Sequence, residues 1–297
     1  MTTRIAETSP RTFARIAGIL YVALFILGPF AFFLGRTSTV VPGDPVATVD
    51  NLMAAESMFR FGMAAETAII LIEIVVSAIL YVLLRPVSRP LALASTLARF
   101  AQSILQAVNL FTAVPALLVL GGASYLSVFN PDQLKAIVLL FMDVNAFIII
   151  VWGLIFGFHL LLLGYLVYRS GFWPKFLGIL LLLASFGYLA QSYGHILAPQ
   201  YDDLLSTIVL ITSIPGELAF TLWLLIKGID VERWQERARV AAFGPNTNSK
   251  RKETGVKNDI SQIVEPNSAH IPGHPGAAVY RPHDPATRSD VAQRLSQ

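Results

Sequence analysis

The chain contains no cysteine, which excludes disulfides, thiolate nucleophiles and thiolate metal ligands. It is also poor in charge: only 14% of its 297 residues are Asp, Glu, Lys or Arg, against about 25% in a typical soluble domain. Catalytic signatures are missing as well. There is no His-Glu-x-x-His pair, no Gly-x-Ser-x-Gly elbow and no Gly-rich phosphate loop. The long apolar part of the chain holds only His159 and His195, too few for a catalytic metal site with about three protein ligands. They lie at unequal depth and make no bis-His haem pair, so no cofactor and no metal are expected. An enzyme is disfavoured.

What is abundant is hydrocarbon. Hydrophobic residues make up 55% of the chain, and the mean hydropathy is +0.61. Apolar windows fall at 13–34, 59–84, 91–119, 137–168, 176–197 and 205–226. Each approaches or exceeds the roughly 20 residues needed to cross a hydrocarbon core of about 30 Å. Lipid offers the backbone no hydrogen bonds, so each crossing must be helical. The expected fold is all-α, a polytopic membrane bundle of about six transmembrane helices over residues 1–229. A juxtamembrane amphipathic helix follows at 230–243, with Val231, Trp234, Ala238 and Ala241 on one side. Residues 244–297 read as a disordered tail whose Pro, Asn, Ser and charge show no apolar periodicity. Its His270, His274 and His283 have nothing nearby to fix a metal geometry.

The first apolar run follows Arg11 and Arg15 as a signal peptide's would. It is long, and no small-x-small site follows, so it is read as an uncleaved span. Basic residues set the expected orientation. Eleven flank one set of helix ends: Arg4, Arg11, Arg15, Arg85, Arg89, Arg169, Lys175, Lys227, Arg233, Arg237 and Arg239. Three, Arg36, Arg60 and Lys135, fall on the other. A multi-pass protein of the cell membrane is expected, with both termini cytoplasmic and a belt of Tyr81, Tyr165, Tyr168, Trp173 and Trp223 at the inner boundary. The net charge of +3 serves topology; the expected partner is the lipid bilayer, not nucleic acid, and the oligomeric state is left open.

The outer loops carry helix starts. Asp44-Pro45 and Asn130-Pro131 each place an N-cap before a proline at the first helical position. The first predicts a short amphipathic surface helix with Val46, Val49, Leu52 and Met53 inward. The second predicts a helix over 131–168, roughly 57 Å long, which must project, tilt or break.

Inside the spans, polar residues recur at helical spacing. Glu66, Glu73 and Ser77 share a face of the second span; Ser95, Arg99, Gln102, Gln106 and Asn109 form a stripe on the third. Asn145, Trp152 and His159 align on the fourth, Ser185, Tyr188, Ser192 and His195 on the fifth. Ser206, Ser213 and Glu217 align on the sixth, where Pro215 loosens the helix. Counted from the basic anchors, Glu73, Arg99, His159, Ser185 and Glu217 each sit roughly 13–18 Å deep, one layer near the bilayer centre. A charge there costs upward of about 2.5 kcal/mol, so these groups must face the bundle interior. Arg99 is expected to bridge Glu73 or Glu217, bidentately as only arginine can. The candidate binding residues are Glu73, Arg99, Gln102, Gln106, His159 and Glu217.

Several stretches carry a resemblance. They are Arg15-Ile-Ala-Gly-Ile-Leu-Tyr21, Val41-Pro-Gly-Asp44, Leu83-Leu-Arg-Pro-Val87, the run from His159 through Gly164-Tyr165 to Arg169-Ser-Gly171 with Pro174 and Leu177-Gly178, and Glu217-Leu through Leu222-Trp-Leu-Leu-Ile-Lys-Gly228. Over residues 12–231 the chain resembles the bacterial integral-membrane family known as domain of unknown function 4386. The resemblance implies a six-span membrane fold and no established activity. From the residues themselves, the expected function is a small transporter or membrane-embedded binder handling a small polar ligand or a proton. The alternatives are a non-catalytic membrane component acting through partners and, less favoured, an intramembrane hydrolase.

Overall fold

The computed structural model describes residues 9–243; the tail expected at 244–297 lies outside the described residues. Among those described, six helices are long and apolar enough to cross a membrane and there is no strand, so the chain is an all-α, multi-pass membrane bundle.

The first helix, α1 (Pro10–Pro29), starts at Ser9, whose side chain accepts from the Thr12 N–H, with proline in the first helical position. Pro29 has no N–H to give the preceding turn, and beyond it the chain widens into a π-helical segment, Phe30–Arg36, then a 3-10 turn, Thr37–Thr39. The wider turns swing Arg36 into the bundle, where it is 4% exposed. The sequence placed Arg36 in an outer loop; the structure makes it a core residue.

The expected outer helix is α2 (Pro45–Ala54), with Asp44 accepting from Val46 and Ala47 N–H. It buries Thr48, Val49 and Leu52 and leaves Val46 and Met53 exposed, a narrower face than the one expected. Then come α3 (Glu56–Leu84) and α4 (Arg89–Asn109). The third crossing is not one helix: a 3-10 turn, Leu110–Ala113, separates α4 from α5 (Val114–Leu120), where Pro115 can donate no helical hydrogen bond.

The long helix α6 (Pro131–Ser170) runs 40 residues unbroken, about 60 Å. A capping box between Asn130 and Gln133 starts it and Gly171, at φ 77°, ends it. Its excess length is packed: Val138 and Met142 join Val49, Leu52, Phe59, Ala113 and Ala116 in a cluster capping that end of the bundle. The bundle is completed by α7 (Lys175–Leu197) and α8 (Asp202–Ile226), the latter staying helical through Pro215. At the opposite end α9 (Val231–Phe243) is pinned by Trp234 Nε1, which donates to the Leu83 carbonyl at 2.9 Å, while Trp173 Nε1 donates to the Gly228 carbonyl at 2.9 Å.

Lipid tails are as apolar as leucine side chains, so helices in a membrane associate largely through close packing at small residues. Here α6 meets α7 where Gly164 and Gly178 face each other. The π-helical segment meets α3 at Gly35 and Gly62 so closely that a Cβ on Gly62 would lie 2.5 Å from the Gly35 Cα. Gly62→Ala is therefore expected to lower thermal stability in detergent by about 1–3 kcal/mol, the usual range for overpacking. Gly28→Ala, whose Cβ meets nothing within 4 Å, should change little. Equal melting temperatures for the two variants would contradict this packing.

Candidate functional site

Two buried polar layers lie within the bundle, and they are built differently. In the first, Arg36 Nε sits 2.8 Å from Glu66 Oε1, Nη2 donates to Glu66 Oε2 at 3.2 Å, and Nη1 donates to Thr112 Oγ1 at 3.0 Å. Thr112 in turn donates to the Asn109 carbonyl at 2.6 Å and accepts from Asn145 Nδ2 at 3.4 Å. Both charged side chains are at most 10% exposed, and both ends of the arginine fork are engaged. This is a closed ion pair joining the first, third, fourth and sixth helices.

The second layer lies two helical turns along α3, at Glu73. That carboxylate, 3% exposed, accepts from Gln102 Nε2 at 2.8 Å and from Ser103 Oγ at 2.9 Å. The expected bidentate bridge to Arg99 is not formed: Arg99 Nη2 stands 3.9 Å from Glu73 Oε1. The reason is local. Gln102 and Ser103 follow Arg99 by about one turn on α4, and their short neutral donors fill the carboxylate oxygens first. Arg99 is 2% exposed, and its Nε and Nη1 have no hydrogen-bond partner among the described residues. It is surrounded instead by π faces, with Cζ 5.3 Å from the Tyr21 ring centroid and 5.5 Å from that of Phe156.

Phe156 is the hub of this layer. His159 stacks on it at 6.0 Å and 19°, Trp152 at 5.1 Å and 29°, and Tyr188 meets it edge-on at 5.0 Å. His159 Nδ1 lies 2.8 Å from the Ser95 carbonyl, which can only accept, so Nδ1 carries the proton and Nε2 presents a lone pair without a partner. Tyr188 donates its hydroxyl to Glu217 Oε1 at 3.2 Å. The structure thus gathers Glu73, Arg99, Gln102 and His159 in direct or ring-mediated contact, and Glu217 joins through Tyr188. Gln106 is only partly buried and makes no side-chain bond to the cluster, although its Oε1 is unpartnered. Ser185 donates to the Gly157 carbonyl at 2.7 Å, which ties α7 to α6. His195 pairs with Asp202 at 2.7 Å near the end of α7.

Three members were missing from the sequence-based candidates. Ser103 is four residues after Arg99 and Phe156 three before His159, so helical spacing alone could have found both. Tyr21 lies on α1, which carries no other polar residue at that level to draw attention to it. Chemically the layer offers uncommitted N–H donors, an imidazole lone pair and two carboxylates. Among the described residues no three His, Asp or Glu side chains are grouped to hold a metal ion.

The contrast between the arginines sets an expectation. Arg36→Met strands the Glu66 carboxylate in the core, a loss of about 3–5 kcal/mol, and Glu66→Gln in the same chain should recover part of it. Arg99→Met leaves Glu73 with both its neutral donors and removes a guanidinium that lacks acceptors, so its loss should stay near ~1 kcal/mol. Thermal melts of the variants in detergent decide this; equal losses would show that Arg99 is as structurally committed as Arg36.

Comparison with known proteins gives the chain its relatives. A family model described as Domain of unknown function (DUF4386) matches residues 16–228. An uncharacterized protein of Archaeoglobus fulgidus is 32% identical over 162 residues, 54% of this chain and 79% of that protein. No solved structure matches. Both polar layers fall inside the matched segment, and the chain belongs to the DUF4386 family of unknown function.

Proposed function

We propose that this protein is a membrane-embedded binder, acting as a small transporter, whose ligand occupies the layer around Glu73, Arg99, His159 and Glu217. One observation carries the reading: Arg99 is buried with Nε and Nη1 lacking a hydrogen-bond acceptor among the described residues, while Arg36, in the same bundle, donates from Nη1 to Thr112 and from Nη2 to Glu66. The Arg36 Nε lies 2.8 Å from Glu66 Oε1, though off hydrogen-bond geometry. A guanidinium keeps its charge inside proteins, and each buried donor left unmade costs about 1–3 kcal/mol. Two cation–π contacts worth about 1–2 kcal/mol each offset only part of that. Arg36 shows that this fold can set such a group directly against a carboxylate, in contact through Nε and Nη2. Leaving Arg99 open is what a ligand site requires, since the ligand supplies the missing acceptors.

The proposal includes orientation. The excess of arginine and lysine at the Arg85, Arg169 and Lys227 end assigns that end, and with it both termini, to the cytoplasm of the cell. The Arg36–Glu66 layer then stands between the ligand layer and the outer face.

The absence of cysteine makes the test clean, because any introduced thiol is the only one in the chain. Ser103→Cys places a near-isosteric thiol beside Glu73, and a site that exchanges ligand with water must open to a small charged methanethiosulfonate. Labelling of this variant in native membranes is expected, while Leu97→Cys, on the exposed face of α4, should stay unlabelled in lipid. In intact cells Ser38→Cys should react from outside and Glu232→Cys only after permeabilisation. A Ser103→Cys thiol that reacts only in denatured protein would sink the binding reading in favour of a dry network in a component acting through partners. Reversed labelling of Ser38→Cys and Glu232→Cys would invert the orientation.

A further inference from the structure

We infer that the ligand is a singly charged organic carboxylate, gripped by the Arg99 guanidinium with its apolar portion against the rings of Tyr21, Trp152 and Phe156. The inference rests on the binding reading above and names its ligand class.

The sign of the ligand's charge follows from which groups are already satisfied. Both carboxylates of the layer have donors: Glu73 takes Gln102 and Ser103, and Glu217 takes Tyr188. A cationic ligand would have to displace those bonds while approaching a fixed positive charge. The uncommitted charged group is a donor instead, and the unpartnered acceptors, Gln102 Oε1 and His159 Nε2, are neutral amide and imidazole atoms. Arg99 Nε and Nη1 are buried without acceptors, and so is Trp152 Nε1, an indole nitrogen that can only donate. The surrounding rings contribute no acceptor to the guanidinium edges. Nε and Nη1 lie on different edges of the fork, each shared with Nη2, which stands 3.9 Å from Glu73. A planar oxyanion meets one such edge with two parallel N–H···O bonds, from Nη2 and one uncommitted donor, the arrangement arginine makes best.

The magnitude of the charge follows from the neighbours. Among the described residues Arg99 is the one cation in this layer, and it already stands 3.9 Å from Glu73, with Glu217 reached through Tyr188, whose ring packs on Phe156. A dianion such as phosphate would add two negative charges where a single guanidinium faces two carboxylates, and like charges in a low-dielectric site repel strongly. A monocarboxylate adds one.

The apolar portion follows from the walls. Arg99 Cζ lies 5.3 Å from the Tyr21 ring and 5.5 Å from that of Phe156, on which Trp152 stacks at 5.1 Å, so the groups beside the guanidinium are aromatic. Of the other unpartnered polar atoms, Gln102 Oε1 and His159 Nε2 are acceptors suited to a hydroxyl or a water bound with the ligand.

Melting of the full chain in detergent, titrated with sodium benzoate, sodium octanoate, sodium phosphate and benzylamine hydrochloride, tests the assignment. Benzoate or octanoate should raise the melting temperature saturably by several degrees, with phosphate and benzylamine inert at equal ionic strength. Octanoate acting alone identifies a lipid-derived acid as the source; benzoate acting, with or without octanoate, identifies a soluble one. Arg99→Gln should abolish the shift, and Arg99→Lys, which keeps the charge but loses the planar fork, should weaken apparent affinity at least tenfold. Should neither variant fold, protection of Ser103→Cys from labelling by the same carboxylates replaces them, since it keeps Arg99 intact. Stabilisation by benzylamine or phosphate, a carboxylate effect that survives Arg99→Gln, or no effect of either carboxylate overturns the ligand class. Labelled Ser103→Cys with inert carboxylates leaves the binding reading standing and removes only this assignment.

Discussion

A guanidinium cannot shed its proton inside a protein, so a fold that carries one between membrane-spanning helices has to meet it with acceptors or leave some of its donors unmet. This bundle does both. Arg36 is met by Glu66 through two contacts and by Thr112 through a third. Arg99, on α4 beside Glu73 and so seven residues of α3 beyond Glu66, is met by rings and by a carboxylate whose oxygens already accept from Gln102 and Ser103. The identity of the partner residues decides the difference. Where the 3-10 turn after α4 offers Thr112 the arginine is held by a hydroxyl and a carboxylate; where α4 offers a glutamine and a serine, these take the carboxylate oxygens ahead of the arginine.

The rest of the architecture holds these two layers in place. Close glycine contacts, Gly35 on Gly62 and Gly164 near Gly178, bring backbones together so that short side chains such as Ser103 and Ser95 can bridge helices. The capping cluster of α2, α5 and α6 secures the Arg36 end. Trp173 and Trp234 secure the other, reaching backbone carbonyls of Gly228 and Leu83. The layer of Glu73 and Arg99 lies between these two anchored ends.

Much of this was legible in the chain because membrane spans are written as an absence of charge. The six windows, the caps at Asp44 and Asn130 and the inward stripe holding Arg99 all follow from periodicities of one residue at a time. Arg36 was misplaced for a physical reason: a π-helical segment changes the number of residues per turn, so a residue counted as loop returns to the core. The partner of Arg99 was legible, since it pairs with Glu73 at 3.9 Å, but the bidentate geometry was not, because the nearer Gln102 and Ser103 take the carboxylate oxygens. Phe156 was overlooked because an aromatic among leucines has no polar signature, although its spacing to Trp152 and His159 places it on the same face.

A density map of the protein in a lipid nanodisc, at a resolution that shows ordered water, measures the central claim most directly. The account predicts non-protein density, water or ligand, within hydrogen-bond distance of Arg99 Nε and Nη1, and none at Arg36 beyond Glu66 and Thr112. A dry layer in which Arg99 makes a bidentate bond to Glu73 or Glu217 would contradict it.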